Sequence, residues 1–327
     1  MTDDELVEMI FESTSKNAHD PLVSICIPSY NHESYITDGL RSIIASNNNA
    51  CIEVILLDDN SQDRTVSLSR EALENSNINF RILKKTRNKG LTDSLRRFQN
   101  LARGKFIINI ASDDCIDTAG LDALIAVLAV AEDDVAMLTC QSEFIGDRSG
   151  PVYDDDHLAA LYASTRQLYE ALSVEYPKPL LLQSTAFRTS VLRAVDPWRD
   201  ALLLDDWPTF LQIAKFSLDN DLRTVYFRDI VLCKYRIHSG GIHNIISRQL
   251  AACLEVSDRI VSTEFRRISR SNIYSDLSIV CLVERKYGMF LSLYIRSILA
   301  DPSLRAILRL PSRVVRRLLR GRGDLGN

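Results

Sequence analysis

Residues 106–114 read FIINIASDD, an apolar run that stops on Ser112-Asp113-Asp114. Phe106 to Ile110 is short and rich in β-branched side chains, as a strand buried in a parallel sheet should be. Two adjacent carboxylates then fall where that strand leaves the sheet. Ligands of open α/β sheets gather outside the carboxyl ends of the strands, so charge at that edge can reach a ligand. Two neighbouring carboxylates repel unless a cation or hydrogen-bond donors compensate them. A divalent metal carrying a phosphate group would do so. The bland alternative is that Asp113 and Asp114 cap the next helix, a role Asp117 could share. This stretch alone leaves both readings open.

Working outward, the same rhythm repeats. A first strand over 23–27 is expected to halt at Pro28, which cannot donate to a ladder, and Ser29-Tyr30-Asn31 follows as a loop. Apolar residues Tyr35, Ile36, Leu40, Ile43 and Ile44 then fall at helical spacing. A strand over 53–57 runs into Asp58-Asp59-Asn60-Ser61, and a polar helix over 63–76 follows, with Asp63 available as its cap. A strand over 80–83 leads to a basic turn at 84–90, then to a helix over 91–102. After the 106–110 strand come a helix over 117–131 and a fifth strand over 135–140. Such alternation predicts an α/β fold, a mostly parallel central sheet flanked by helices. Three strand ends on one sheet edge then carry polar groups, two of them Asp-Asp pairs, which is more than capping requires. The chain has neither G-x-x-x-x-G-K-[ST] nor G-x-G-x-x-G after the first strand, so phosphates would be held without a glycine-rich cradle.

Beyond Ser142 the pattern turns irregular. A helical segment is expected over 157–173, a strand over 184–188, helices over 189–195 and 209–216, and a strand over 225–237 before His238-Ser239-Gly240-Gly241. From 248 to 310 the pattern is helical, a C-terminal helical extension. Residues 1–20 form a separate N-terminal segment whose apolar patch at 6–11 suggests a small helix.

The 327 residues carry a net charge of −4, yet the stretch from Arg305 onward holds seven Arg and one acid, Asp324. An acidic body therefore bears a basic tail. Seven scattered cysteines without a C-x-x-C pair suggest buried thiols in a reducing cytoplasmic setting rather than zinc or disulfides. The acidic N-terminus lacks the basic and apolar regions of a signal peptide, and no apolar run reaches 18 residues.

VSICIPSYN at 23–31, LLDDNS at 56–61, Asn88-Lys89-Gly90 and Ser112-Asp113-Asp114 together resemble the signature series of family 2 glycosyltransferases, which have the GT-A fold. The resemblance covers about 21–245, a nucleotide-binding part at 21–141 and an acceptor part at 142–245, with 246–327 as the helical C-terminal region. It implies an inverting enzyme of the bacterial surface-polysaccharide type (O-antigen assembly, for example), using a nucleotide-diphosphate-sugar donor, a UDP-sugar in the first place, and Mn²⁺ or Mg²⁺. Carried over by position, Pro28 and Tyr30 border the base, with Asn31 beside them, and Asp59 accepts a hydrogen bond from it. Asp113 contacts the ribose or donor sugar, and Asp114 ligates the metal. Lys89 would help hold phosphates, unless its basic turn is simply solvated.

In Asp205-Asp206-Trp207 the family pattern has Glu at the first position; here it is Asp. Asp206 resembles the general base that takes the acceptor hydroxyl's proton; the alternative is an N-cap beside Pro208. Tyr235-Arg236-Ile237-His238 resembles runs that place the His on the metal or near the diphosphate, though a His in a surface turn is the plainer reading. The implied acceptor is a glycan or lipid-linked saccharide. The tail over 304–322 reads as two basic amphipathic pieces for an anionic membrane surface, which would make the enzyme peripheral at the inner face of the plasma membrane. Packing of that tail on the body or on a protein partner is the competing reading. Nothing else suggests nucleic acid. Two rival functions remain, a nucleotidyltransferase acting on a sugar phosphate and a non-catalytic sugar-nucleotide-binding scaffold.

Overall fold

The computed structural model describes residues 7–13, 20–153, 164–175, 180–237 and 246–303. The expected turn at 238–241, the tail over 304–322 and the first part of the expected 157–173 helix lie outside them. Two compact units are present: 1–168, 179–201 and 212–241 form the first, and 169–178, 202–211 and 242–327 form the second.

The first unit begins with β1 (Val7–Ser13), β2 (Val23–Ser29), α1 (Ile36–Ile44), β3 (Ile52–Asp58), α2 (Thr65–Glu74), β4 (Asn79–Lys85), α3 (Leu91–Leu101) and β5 (Phe106–Asn109). It continues through β6 (Cys115–Ile116), α4 (Thr118–Ala129), β7 (Val135–Gly146), β8 (Gly150–Pro151), β9 (Thr185–Arg188), α6 (Thr189–Val195) and β10 (Arg223–Ile237). Two helices straddle the units, α5 (Thr165–Val174) before β9 and α7 (Asp206–Asp219) before β10. The strands form one sheet in the order β1-β4-β3-β2-β5-β9-β7-β10-β6, with β8 against β7.

Strands β4, β3, β2 and β5 pair in parallel, as the β-α-β rhythm predicts. Every residue of β3 and β5 is buried, which is why both read as largely apolar runs rather than alternating ones, with Glu53 of β3 buried against Arg81 at 2.8 Å. On one face of the sheet, Ile25, Val54, Leu56, Ile82 and Ile108 pack with Leu40 and Ile43 of α1 and Leu121, Leu124 and Leu128 of α4.

Three expectations need correction. Strand β2 does not halt at Pro28: its ladder with β3 continues to Ser29↔Asp58, whereas its ladder with β5 ends at Cys26↔Asn109. The patch at 6–11 is not a helix. Six residues cannot repay helix nucleation, while β4 offers an open edge, and β1 fills it antiparallel with a bulge between Met9 and Phe11. Nor does β7 extend the parallel set directly. Strand β9 inserts between β5 and β7, antiparallel to both. Arg188 fastens it there, donating through Nε to the Val135 carbonyl at 2.6 Å with its guanidinium 4.9 Å from the Phe106 ring centroid.

The second unit is helical. It contains α8 (Ile246–Arg259), α9 (Thr263–Val283) and α10 (Tyr287–Ala300), with the first turns of α7 and the end of α5. Small side chains let α9 and α10 approach closely: Ser271 and Ser297 are both buried, their hydroxyls 3.2 Å apart. Trp207 is buried and donates from Nε1 to the Leu172 carbonyl at 2.8 Å. Among the described residues no helix is long and apolar enough to cross a membrane. None of the seven cysteines is in a disulfide, and five of them are buried.

Candidate active site

Because β2 to β5 are parallel, the loops that follow them share one edge of the sheet, and side chains bind those loops to one another. Asn31 sits in the left-handed region at φ 53°. Its amide donates to Ser61 Oγ at 2.8 Å and its Oδ1 accepts from the Gln62 amide at 2.9 Å, joining the first loop to the second. His32 Nδ1 lies 2.6 Å from Ser112 Oγ, joining the first loop to the Ser112-Asp113-Asp114 turn. The second loop is tied to the basic turn through Asp59.

The two members of the Asp58-Asp59 pair do different work. Asp58 is fully buried and turns back into its own loop, accepting from the Ser61 amide at 2.8 Å and from Ser29 Oγ at 3.3 Å. It shapes the turn and cannot face a ligand. Asp59 accepts from the Lys89 amide at 2.8 Å and the Gly90 amide at 2.7 Å, and Lys85 Nζ lies 3.0 Å from its Oδ1. Gly90 has φ 84°, the region where a side chain is disfavoured. A carboxylate offers about four acceptor positions, so these three contacts leave Asp59 one more for an incoming donor. The buried Lys85 bridges Asp59 to Asp93, 2.9 Å away. Sequence reasoning missed Lys85, because a lysine closing a strand beside a basic turn looks solvated. Lys89 itself contributes its backbone here; its Nζ is 4.0 Å from Asp93. Tyr30 is exposed and Pro28 half-buried at the mouth of the same edge.

The Asp113-Asp114 pair is not a helix cap. Asp117 fills that role, its Oδ1 accepting from the Gly120 amide at 2.9 Å at the start of α4, while its other oxygen meets Lys234 at 2.9 Å. Asp114 is 2% exposed. Its Oδ1 accepts from the Arg236 amide at 2.8 Å, and Gln183 Nε2 approaches Oδ2 at 3.4 Å. Burial, with the nearby Asp113 charge adding to it, pushes the Asp114 carboxyl up to about 8. The Arg236 amide and the charge of its guanidinium offset this only in part. The guanidinium donates to the Asp113 carbonyl at 2.8 Å and sits 5.4 Å from the Tyr35 ring centroid. Among the described residues, then, no cationic side chain pairs with the Asp114 carboxylate, which leaves a buried acid suited to a hard cation. Gly39 of α1 lets this turn come close, since a Cβ there would stand 2.8 Å from the Asp114 carbonyl oxygen. Gln183 and Arg236 lie 69 and 122 residues from Asp114; nothing local in the sequence marks Gln183, and the sequence singles out Arg236 only as part of the run ending in His238.

Asp113 is half-buried beside Asp114. Among the described residues no group of three or more His, Cys, Asp or Glu could by itself hold a metal; His238 lies outside them. The described donors therefore fit a cation that takes most of its oxygens from substrate phosphate and water. Asp206 belongs to the second unit, as the first residue of α7 rather than the flank of a helix beginning at Thr209. Its Oδ1 accepts from the Trp207 amide at 2.6 Å, and burial together with the charge of Asp205 pushes its carboxyl up to about 7.

Residues 24–187 match the model of the family described as Glycosyl transferase family 2. An uncharacterized glycosyltransferase of Rickettsia prowazekii is 26% identical over 243 residues, which cover 72% of this chain and 70% of that protein. A second, from Rickettsia typhi, is 24% identical over 242 residues, again 72% and 70%. In three dimensions the chain is similar to S. aureus TarS 1-349 in complex with UDP-GlcNAc, with a TM-score of 0.59 and 17% identity over 85% of this chain and 81% of that one. It is also similar to the mannosyltransferase PcManGT of Pyrobaculum calidifontis in complex with GDP-Man and Mn²⁺, with a TM-score of 0.57 and 17% identity over 93% and 83%.

Proposed function

The chain belongs to glycosyl transferase family 2 and is a glycosyltransferase, and on that premise we propose that it is an inverting, metal-dependent one. It moves a sugar from a nucleotide-diphosphate donor, a UDP-sugar in the first place, to a hydroxyl of a glycan or lipid-linked saccharide. The observation that carries this reading is the Asp114 carboxylate, buried at the sheet edge without a cationic partner among the described residues and joined to the Tyr30 loop through Ser112 and His32. Both fold neighbours named above were captured with a sugar nucleotide, one of them with Mn²⁺.

In this reading Pro28, Tyr30 and Asn31 border the base, and Asp59 uses its remaining acceptor position on a base N–H. Lys89 and Gly90, held by Asp59, flank the donor, with the Lys89 ammonium toward the phosphates. Asp113 contacts the ribose or donor sugar. Asp114 holds Mn²⁺ or Mg²⁺, with His238 as a second ligand from outside the described residues. Bound there, such a cation would supply positive charge against the diphosphate of the departing group. Asp206 is the general base. A carboxyl near 7 suits proton abstraction, being about half ionised at neutral pH and basic enough to accept the proton of the attacking hydroxyl. Attack opposite the leaving diphosphate inverts the anomeric carbon. The basic tail would bring the enzyme to an anionic membrane that carries the acceptor, at the inner face of the plasma membrane.

The test is a panel of sugar nucleotides incubated with the protein in Mn²⁺, Mg²⁺ or EDTA, with nucleoside diphosphate release as the readout. Metal-dependent release supports the proposal. Pyrophosphate release from a nucleoside triphosphate and a sugar phosphate would replace it with a nucleotidyltransferase. Metal-dependent donor binding with no turnover in any acceptor extract would leave a scaffold.

A further inference from the structure

Helix α10 packs on α9 through Leu293 and Ser297, both buried. The rest of it is unusually apolar for an outward face. Tyr287, Leu291, Ile295 and Leu299 follow one another at four-residue steps and are 62, 55, 48 and 74% exposed. Steps of four advance about 40° each on an α-helix, so the stripe runs about 18 Å along α10 and covers roughly a third of its circumference. Isolated exposed apolar residues are ordinary; a contiguous row of them marks something that covers it.

The surrounding charge says what. From Arg285 to the end of the chain ten basic residues stand against two acidic ones, Asp301 and Asp324. Arg285 and Lys286 precede the helix, Lys286 paired with Glu284 at 2.6 Å, and Arg296 follows Ile295. A second copy docking here would bring the same basic surroundings against themselves. The tail folding back on α10 would leave its seven arginines without acidic partners on the helix, since residues 285–300 hold no Asp or Glu. An anionic lipid surface answers both features at once, with apolar side chains entering the acyl boundary and arginines meeting headgroup phosphates.

We propose that the exposed face of α10 is the membrane-inserting element of this protein, with the tail supplying electrostatic attraction and α10 the apolar contact. The inference rests on the membrane reading of the tail. It adds to that reading a folded helix with named contact residues.

Sedimentation of the full chain with phosphatidylglycerol-containing vesicles, against pure phosphatidylcholine, tests it. The wild type should partition onto the anionic vesicles. Leu291→Glu/Leu299→Glu, two exposed positions whose change should spare the fold, should lower that partitioning by about tenfold or more. Arg316→Glu/Arg317→Glu reports on the tail separately. If the tail variant loses binding while the helix variant binds like wild type, the tail reading stands and the proposal for α10 is overturned. If neither variant changes binding, both fall. A second readout is Leu299→Trp: the two native tryptophans, Trp198 and Trp207, are each only 3% exposed, so a blue shift on adding anionic vesicles reports insertion of α10, and an unchanged spectrum refutes it. A wild-type dimer that Leu291→Glu/Leu299→Glu dissociates in analytical ultracentrifugation would assign the face to a second copy instead. Nucleoside diphosphate release without vesicles, measured on every variant, keeps the glycosyltransferase reading separately testable.

Discussion

Asp206→Asn is expected to make the protein more stable and less active at once. Asn matches Asp in shape and keeps an oxygen to accept the Trp207 amide, so the 2.6 Å contact survives. What it removes is a charge in a poor place for one. Burial and Asp205 raise the Asp206 carboxyl from 3.8 to about 7. Between those two values the folded state binds more protons than the unfolded state, so wild-type stability falls as pH rises through that window. The penalty is absent below the lower value and complete above the upper one. At about 1.4 kcal/mol per pH unit the penalty at pH 8 is on the order of a few kcal/mol, shared with Asp205 through their mutual repulsion. Calorimetric melts should therefore show the variant gaining about 5 °C or more at pH 8 and markedly less at pH 5. Nucleoside diphosphate release in the presence of acceptor should fall by about 10²-fold or more, the usual worth of a general base. In the wild type that rate should drop about tenfold for each pH unit below about 7, as the base becomes protonated. A stability gain equal at both pH values would refute the burial argument, and a variant with full turnover would remove Asp206 from the chemistry.

Asp114→Asn should abolish Mn²⁺ binding in an EPR titration, whereas Asp117→Ala should cost about 1 kcal/mol of stability through the lost cap and leave Mn²⁺ binding intact; equal effects would mean that the cation is held elsewhere. Gly39→Ala would put a methyl 2.8 Å from the Asp114 carbonyl, so it should cost about 1–3 kcal/mol in urea melts and weaken Mn²⁺ binding by displacing the turn; an unperturbed affinity would show that α1 does not position Asp114. Lys85→Met leaves Asp59 and Asp93 without the ammonium between them, and a loss of roughly 3 kcal/mol in urea melts is expected; a neutral result would show that the Lys89-Gly90 turn holds without it.

Much of the parallel half of the sheet could be read from the chain, because its signals are local. Buried parallel strands such as β3 and β5 show up as short β-branched runs, and the polar loops after them follow from where each run stops. The same short range explains what was hidden. A six-residue apolar patch reads equally well as a helix or as an edge strand, and only the open side of β4 selects β1. Four buried residues at 185–188 do not announce that they will enter between β5 and β7 against the direction of both.

At the candidate site the division is finer. The sequence by itself determined that two acidic pairs and a polar loop lie at the ends of parallel strands, because the residue count between strand and helix places them there. Only the tertiary structure decided which acid of each pair is free to act. Asp58 and Asp59 are chemically identical neighbours, yet one folds back on Ser61 while the other holds Lys89 and Gly90 across 30 residues of chain. Asp113 and Asp114 likewise separate only when β10 brings the Arg236 amide to Asp114 and withholds its guanidinium. Desolvation and hydrogen bonding depend on what surrounds a group in space, and those neighbours arrive from distant parts of the chain.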